Sequence, residues 1–351
     1  MSKFWSKRTH ELDPYTPGEQ PQNQQYIKLN TNENPYPPSP KAIEAMRAAA
    51  DENMRLYPDP MAKSLKQAIA DFYDLDVSQM FVGNSSDEVL AHTFVALLKK
   101  DKPLFFPDIS YGFYPAYCGL FNIETKRIPL TDAFTINPQD YTADSGGVIF
   151  PNPNAPSGIA LSLDDIEIIL NANKDVVVVI DEAYIDFGGE TAVPLIDKYP
   201  NLLITQTFSK SRSLAGLRVG FAMGQADLIE GLERVKNSFN SYPLDRAAIA
   251  GATASIKDKP HFDETCQKII QTRKNVSEAL TIMDFTVLPS QANFVFAKPN
   301  SADAEKLYLA LKKEGVLVRY FNSPRIAGYL RITIGTDEEM DVFLEKLVAL
   351  V

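Results

Sequence analysis

Apolar and polar positions alternate in blocks along most of this chain. Met80-Phe-Val, Pro103-Leu-Phe-Phe, Gly147-Val-Ile-Phe, Val176-Val-Val-Val-Ile, Leu202-Leu-Ile-Thr-Gln-Thr and Arg218-Val-Gly-Phe-Ala-Met read as short strands. Several are apolar at successive positions, as in strands buried on both faces. Between them, Leu65 to Phe72, Asp87 to Lys100 and Leu163 to Asn171 carry helical spacing, and Pro40 to Ala50 reads as an earlier helix. This alternation predicts an α/β architecture: a large, mostly parallel sheet sandwiched by helices.

Both ends depart from that rhythm. The first 40 residues are rich in Pro, Asn and Gln, which forbids a continuous helix, and read as an extended arm with one strand, Tyr26 to Leu29. After about Pro243 come helices Leu244 to Ile256 and Glu264 to Met283. Asn293-Phe-Val-Phe, Ala302 to Glu314, Val316-Leu-Val-Arg, Tyr329-Leu-Arg-Ile-Thr and Asp337 to Val348 then read as strand, helix, strands and helix. That order predicts a smaller α+β unit.

Composition narrows the class. Apolar residues are 45% and charged residues 23% of 351, the mix of a globular chain of about two domains. The formal charge of −10 argues against a nucleic-acid face but leaves room for a local basic pocket. Cys118 and Cys266 form no metal or redox motif, and His10, His92 and His261 have no ligand spacing, so no metal is expected. No apolar run approaches a membrane span, so a cytoplasmic location is expected.

In open α/β sheets, ligands bind beyond the carboxyl ends of strands. Gly83-Asn-Ser-Ser-Asp-Glu follows the first strand and opens a helix; its N–H groups and hydroxyls suit a phosphate, or equally a simple helix cap. Pro151-Asn-Pro-Asn-Ala-Pro-Ser-Gly158 follows another. Asp181 ends a buried strand, where a carboxylate needs a partner: a ligand cation, an arginine or backbone amides. Lys210 lies among serines in Thr207-Phe-Ser-Lys-Ser-Arg-Ser; it is a surface lysine or, beside cations, a nucleophilic amine of lowered pKa. Tyr111 suits either the core or stacking on a flat ring. Taken together, an anion cradle, a carboxylate and an amine are the groups that pyridoxal 5'-phosphate demands.

These segments carry a resemblance. Thr207-Phe-Ser-Lys-Ser-Arg-Ser-Leu-Ala-Gly-Leu-Arg-Val-Gly220 is similar to the cofactor-lysine signature of the fold-type I aminotransferases, and within them of the histidinol-phosphate aminotransferase family. Asp181-Glu-Ala-Tyr184, Leu29-Asn-Thr-Asn-Glu-Asn-Pro-Tyr, Tyr57-Pro-Asp-Pro and Leu330-Arg-Ile-Thr-Ile-Gly match as well. The resemblance implies residues 36–250 as a large cofactor domain, with 1–35 and 251–351 as a small one. It implies Lys210 as the Schiff-base lysine and proton shuttle, Asp181 as partner of the pyridine nitrogen, and Tyr184 as partner of the ring 3-oxygen. Tyr111 stacks on the ring. Ser85, Ser86, Asp87, Thr207, Ser209 and Arg218 surround the phosphate, with Tyr57 reaching it from the other subunit of a homodimer. Arg331 binds the substrate's anionic end, and Arg319 and Tyr15 are candidates for a substrate phosphate.

Two positions depart from the family. Ser85 stands where a glycine is frequent, a mild change that leaves the N–H groups free. Ala155 stands where an asparagine touches the ring oxygen, which leaves Asn154 or no residue for that contact. The reaction implied is amino transfer between histidinol phosphate and 2-oxoglutarate, giving imidazole-acetol phosphate and glutamate in histidine synthesis. Alternatives on the same scaffold are an aromatic amino-acid aminotransferase and a threonine-phosphate decarboxylase. A non-catalytic cofactor sensor would need a basic DNA-binding unit that the sequence does not show.

Overall fold

Caps and apolar runs set the elements of the computed structural model, which describes residues 2–21 and 26–351. Residues 22–25 of the expected extended arm lie outside the described residues. The arm is not wholly extended: Ser6 caps a short helix, α1 (Lys7–Glu11). The expected strand at Tyr26 shrinks to β1 (Ile27–Lys28). Two helices follow, α2 (Pro40–Ala49) and α3 (Lys63–Tyr73), then β2 (Met80–Asn84) and α4 (Ser85–Ala96). Next come β3 (Leu104–Pro107), α5 (Phe113–Phe121), β4 (Thr125–Ile128), β5 (Gly147–Pro151), α6 (Leu163–Ala172), β6 (Val178–Asp181), β7 (Leu202–Thr207), β8 (Val219–Gly224) and α7 (Ala226–Phe239).

Seven of these strands form one sheet in the order β2-β8-β7-β6-β5-β3-β4. Alternate residues of each strand serve opposite faces, the period-two rule of the pleat. Phe150, Ile180 and Ile204 pack on one side with Ile69, Ile166 and Ala248. Ile149, Val179 and Leu203 pack on the other with Leu90, Tyr114 and Leu232. The central pairs are parallel, but β8 runs antiparallel to both β7 and β2. The reason is the β7–β8 connection, residues 208–218, which holds only a 3-10 turn at Ala215–Leu217 and no crossover helix. Because β8 runs backwards, its first residues lie at the edge where β2, β5, β6 and β7 end.

The chain continues through α8 (Arg246–Lys257), capped by Asp245, and α9 (Lys259–Ile282). Helix α9 starts earlier than the expected Glu264 because Pro260 sits in its first turn, where no N–H is needed. The tail forms β9 (Phe285–Val287), β10 (Phe294–Pro299), α10 (Ala304–Lys313), β11 (Val316–Leu317), β12 (Arg319–Tyr320), β13 (Leu330–Thr333) and α11 (Asp337–Val348). A second, antiparallel sheet has the order β12-β13-β10-β9, and β1 pairs in parallel with β11. The N-terminal arm is thereby tied to the C-terminal unit. No helix among the described residues is long and apolar enough to cross a membrane.

Candidate active site

Asp181 is the last residue of β6 and is 4% exposed. Its carboxylate accepts from Tyr114 Oη at 3.0 Å and Thr205 Oγ1 at 3.3 Å. Burial raises its pKa from the usual 3.8 to about 6. No salt bridge reaches it among the described residues, so a buried anion sits at the sheet edge with hydroxyl donors and the Ala183 N–H but no cation. Lys210 follows β7, and its Nζ donates to the Thr31 carbonyl at 3.1 Å. Burial, then the charge of Arg331, lowers its pKa from 10.5 to about 8. The same Nζ lies 5.8 Å from the centre of the Tyr184 ring. Tyr184 Oη in turn accepts from Asn32 Nδ2 at 2.9 Å.

The cradle is assembled by strand register. Gly83 of β2, Gly220 of β8 and Thr207 of β7 stand in one row across the sheet. A Cβ on Gly220 would lie 2.3 Å from the Ser86 nitrogen and 2.4 Å from the Ser85 carbonyl carbon, so only glycine lets β8 approach the start of α4. Ser85 adopts φ +66 there. The serine is therefore less innocuous than the sequence suggested: a left-handed conformation costs a non-glycine residue about 1 kcal/mol. Its Oγ accepts from the Asp87 N–H at 3.0 Å, which offsets part of that cost. Asp87 accepts from Arg218 Nη2 at 2.7 Å and from Tyr111 Oη at 3.2 Å, joining three expected site residues. Thr207 Oγ1 donates to Ser209 Oγ at 3.0 Å. Ser86 is half-buried in the first turn of α4.

Asn154 is buried, and its Nδ2 donates to the Ile109 carbonyl at 3.2 Å and to Ser157 Oγ at 3.1 Å. Its Oδ1 is buried without a partner. The amide donor is thus committed to the loop itself. Ala155 packs with Ala292, Phe294 and the Tyr184 ring.

Two arginines approach from the smaller sheet. Arg331 of β13 donates from Nη2 to the Asn30 carbonyl at 2.9 Å, while its Nε is buried without a partner. Its guanidinium lies over Phe294 at 5.4 Å and over Phe321 at 5.5 Å. Arg319 of β12 lies over the same Phe321 ring at 5.3 Å. Tyr15 of the arm packs on Phe113 at 4.8 Å and on Tyr111 at 6.3 Å. Tyr57 stands apart: its ring is 78% exposed and stacks on Tyr242. Arg246 holds its carbonyl at 2.9 Å.

Sequence reasoning missed Asn32 and Tyr114. Asn32 lies within a segment already noted, Leu29 to Tyr36, and is 1% exposed. Tyr114 gave no signal, because α5 (Phe-Tyr-Pro-Ala-Tyr-Cys-Gly-Leu-Phe) mixes proline, glycine and aromatics and does not read as a helix.

Known proteins resemble this chain along its whole length. The sequence pattern of the family "Aminotransferase class I and II" matches residues 24–347. Histidinol-phosphate aminotransferase 1 of Hydrogenovibrio crunogenus is 60% identical over 97% of this chain and 95% of its own. Histidinol-phosphate aminotransferase 1 of Pseudomonas fluorescens is 58% identical over 99% of both. The solved histidinol-phosphate aminotransferase of Sinorhizobium meliloti, in complex with pyridoxal-5'-phosphate, superposes with a TM-score of 0.88. It covers 100% of this chain and 99% of its own at 21% identity, a likeness of fold.

Proposed function

The chain belongs to the class I and II aminotransferases, and from that premise we propose that it moves an amino group between histidinol phosphate and 2-oxoglutarate. The products are imidazole-acetol phosphate and glutamate. Relatives 58–60% identical over nearly the whole chain carry that activity in their names. The observation that carries the substrate reading is the pair Arg319 and Arg331, both packed on Phe321, with the Arg331 Nε buried and unpartnered. Arg331 near the amine of Lys210, with Arg319 on the same Phe321 ring, suits substrates that bring a phosphate or a second carboxylate.

The enzyme is pyridoxal-phosphate-dependent, and the residues fit the cofactor. Asp181 is a buried carboxylate without a cation, the arrangement a protonated ring nitrogen completes. Gly220 brings β8 against the Ser86 nitrogen at the start of α4, where that N–H and the hydroxyls of Ser86 and Thr207 suit a phosphate. The Ser85 N–H, expected to be free, donates to the Arg218 carbonyl at 2.8 Å, and the Asp87 N–H to Ser85 Oγ. When bound, the cofactor supplies an aldehyde and an electron-withdrawing ring.

The chain's own residues do the rest. Lys210 would hold the cofactor through Nζ, a role its lowered pKa favours, and the same Nζ would carry a proton to and from the substrate Cα. Asp181 keeps the ring nitrogen protonated. Tyr184 would donate to the ring oxygen, and Tyr111 would lie against the ring. Ser85, Ser86, Thr207, Ser209 and Arg218 hold the phosphate, with Asp87 orienting Arg218. The exposed Tyr57 ring serves the site of a second copy in a homodimer, and the enzyme works in the cytoplasm. The test is a turnover comparison of histidinol phosphate, phenylalanine and threonine phosphate. Preference for histidinol phosphate supports the reading; turnover of phenylalanine alone, or loss of carbon dioxide from threonine phosphate, overturns it.

A further inference from the structure

The loop between β12 and β13, residues 321–329, joins the two candidate substrate arginines. Residues 322–325 at its tip are exposed, but the loop is anchored at Ile326 and through the Arg325 side chain. Ile326 is 6% exposed and belongs to the apolar cluster of the seven-stranded sheet. Beside it, Arg325 reaches across to the large sheet. Its Nη1 donates to Asp108 Oδ2 at 3.2 Å, and its Nη2 donates to the carbonyls of Leu130 at 2.9 Å and Thr131 at 2.7 Å. The guanidinium also lies over the Phe134 ring at 5.4 Å. Four contacts from one side chain define a seat, where a single surface ion pair would not.

Both sides of this seat lead to the site. Asp108 ends the β3 turn, and its Oδ1 accepts from the N–H groups of Ile109 and Leu130, each at 2.9 Å. The Ile109 carbonyl receives Asn154, and Tyr111 follows two residues on. On the other side, Phe321 begins the loop and touches both guanidinium groups, while Tyr329 ends it, stacked on Phe296 at 4.7 Å. Arg325 itself sits at φ +68, a conformation that persists only where the surroundings over-determine it.

We propose that Arg325 is a positioning residue of the substrate site: seated on Asp108, Leu130 and Thr131, it fixes Arg319 and Phe321 relative to Lys210. The proposal rests on the substrate reading above. Arg331 lies in a strand paired on both sides and keeps its position without the clamp. Arg319 and Phe321, at the edge and the loop, do not. Loss of the clamp therefore weakens recognition of the substrate phosphate more than that of glutamate.

The experiment is steady-state kinetics of the cofactor-loaded enzyme with Arg325→Ala, Arg325→Lys, Asp108→Ala and the double variant. Removing a charge-assisted seat should raise the KM for histidinol phosphate roughly tenfold, leave kcat within about twofold, and raise the KM for glutamate less. The visible absorbance of the bound cofactor should not change. Arg325→Lys, which keeps the charge but not the fork, should recover part of the loss. Arg325→Ala should cost less in the Asp108→Ala background than in the wild type. An unchanged KM, a fall confined to kcat or to thermal stability, or equal costs in both backgrounds would overturn the proposal. Wild-type enzyme that ignores histidinol phosphate sinks the substrate reading instead. The clamp is then judged by glutamate affinity in a single half-reaction: a weakening that Arg325→Lys partly repairs supports it, and no change overturns it.

Discussion

Asp181 is buried and Lys210 half-buried, each with its charged form disfavoured by desolvation. For Asp181 the folded pKa is raised from 3.8 to about 6. Its contribution to stability is therefore favourable below about pH 4 and is lost as the pH rises through 6. Asp181→Asn should stabilise the cofactor-free protein above pH 6, by at most about 3 kcal/mol, and the gain should vanish in acid. The same variant, loaded with cofactor, should lose at least about a hundredfold in turnover. Denaturant melts at pH 4 and pH 7.5, beside a rate assay, check both halves; a variant that is both less stable at pH 7.5 and fully active contradicts this account. Lys210 obeys the opposite sign. Burial and the charge of Arg331 lower its pKa to about 8, so the free amine grows as pH rises through that value. The rate of cofactor capture by the cofactor-free protein should climb between about pH 7 and pH 9 and then level off. A rate flat over that range would mean that Lys210 Nζ is not the capturing group.

At the level of elements, the apolar runs of β5, β6 and β7 were legible because strands buried on both faces need little else. The reversal of β8 was not, since direction is not written in a strand's composition; it follows from a connection too short for a crossover. Helix α5 was hidden by Pro115 and Gly119, and with it Tyr114, the hydroxyl that reaches Asp181. The segments of the candidate site could be picked out at strand ends, because chemistry-bearing residues interrupt apolar strands there. The pairing of Asp87 with Arg218 and Tyr111 could not, because it joins three elements distant in sequence. Gly220 links element to site. A methyl group there meets backbone, which cannot step aside, so Gly220→Ala should cost about 1–3 kcal/mol and weaken cofactor binding. A Gly220→Ala protein with an unchanged melting curve and cofactor affinity would contradict the close approach of β8 to α4.

For the whole molecule, the Tyr57–Tyr242 stack is exposed. If Tyr57 serves a second copy, Tyr57→Phe should weaken cofactor affinity about tenfold by removing one hydrogen bond to a charged group. Mixing that chain with Lys210→Ala chains should restore normal affinity, because each hybrid then holds one site with both groups intact. Absence of recovery in verified hybrids would mean that Tyr57 acts within its own chain. The measurement that bears most directly on the whole account is chemical capture at Lys210. Borohydride reduction of the cofactor-loaded enzyme, followed by peptide mapping, should find the pyridoxyl group on the peptide containing residue 210, and Lys210→Ala should carry none and lose turnover by several orders of magnitude. A label on a peptide lacking residue 210, or an Ala variant that still turns over at the wild-type rate, would contradict it.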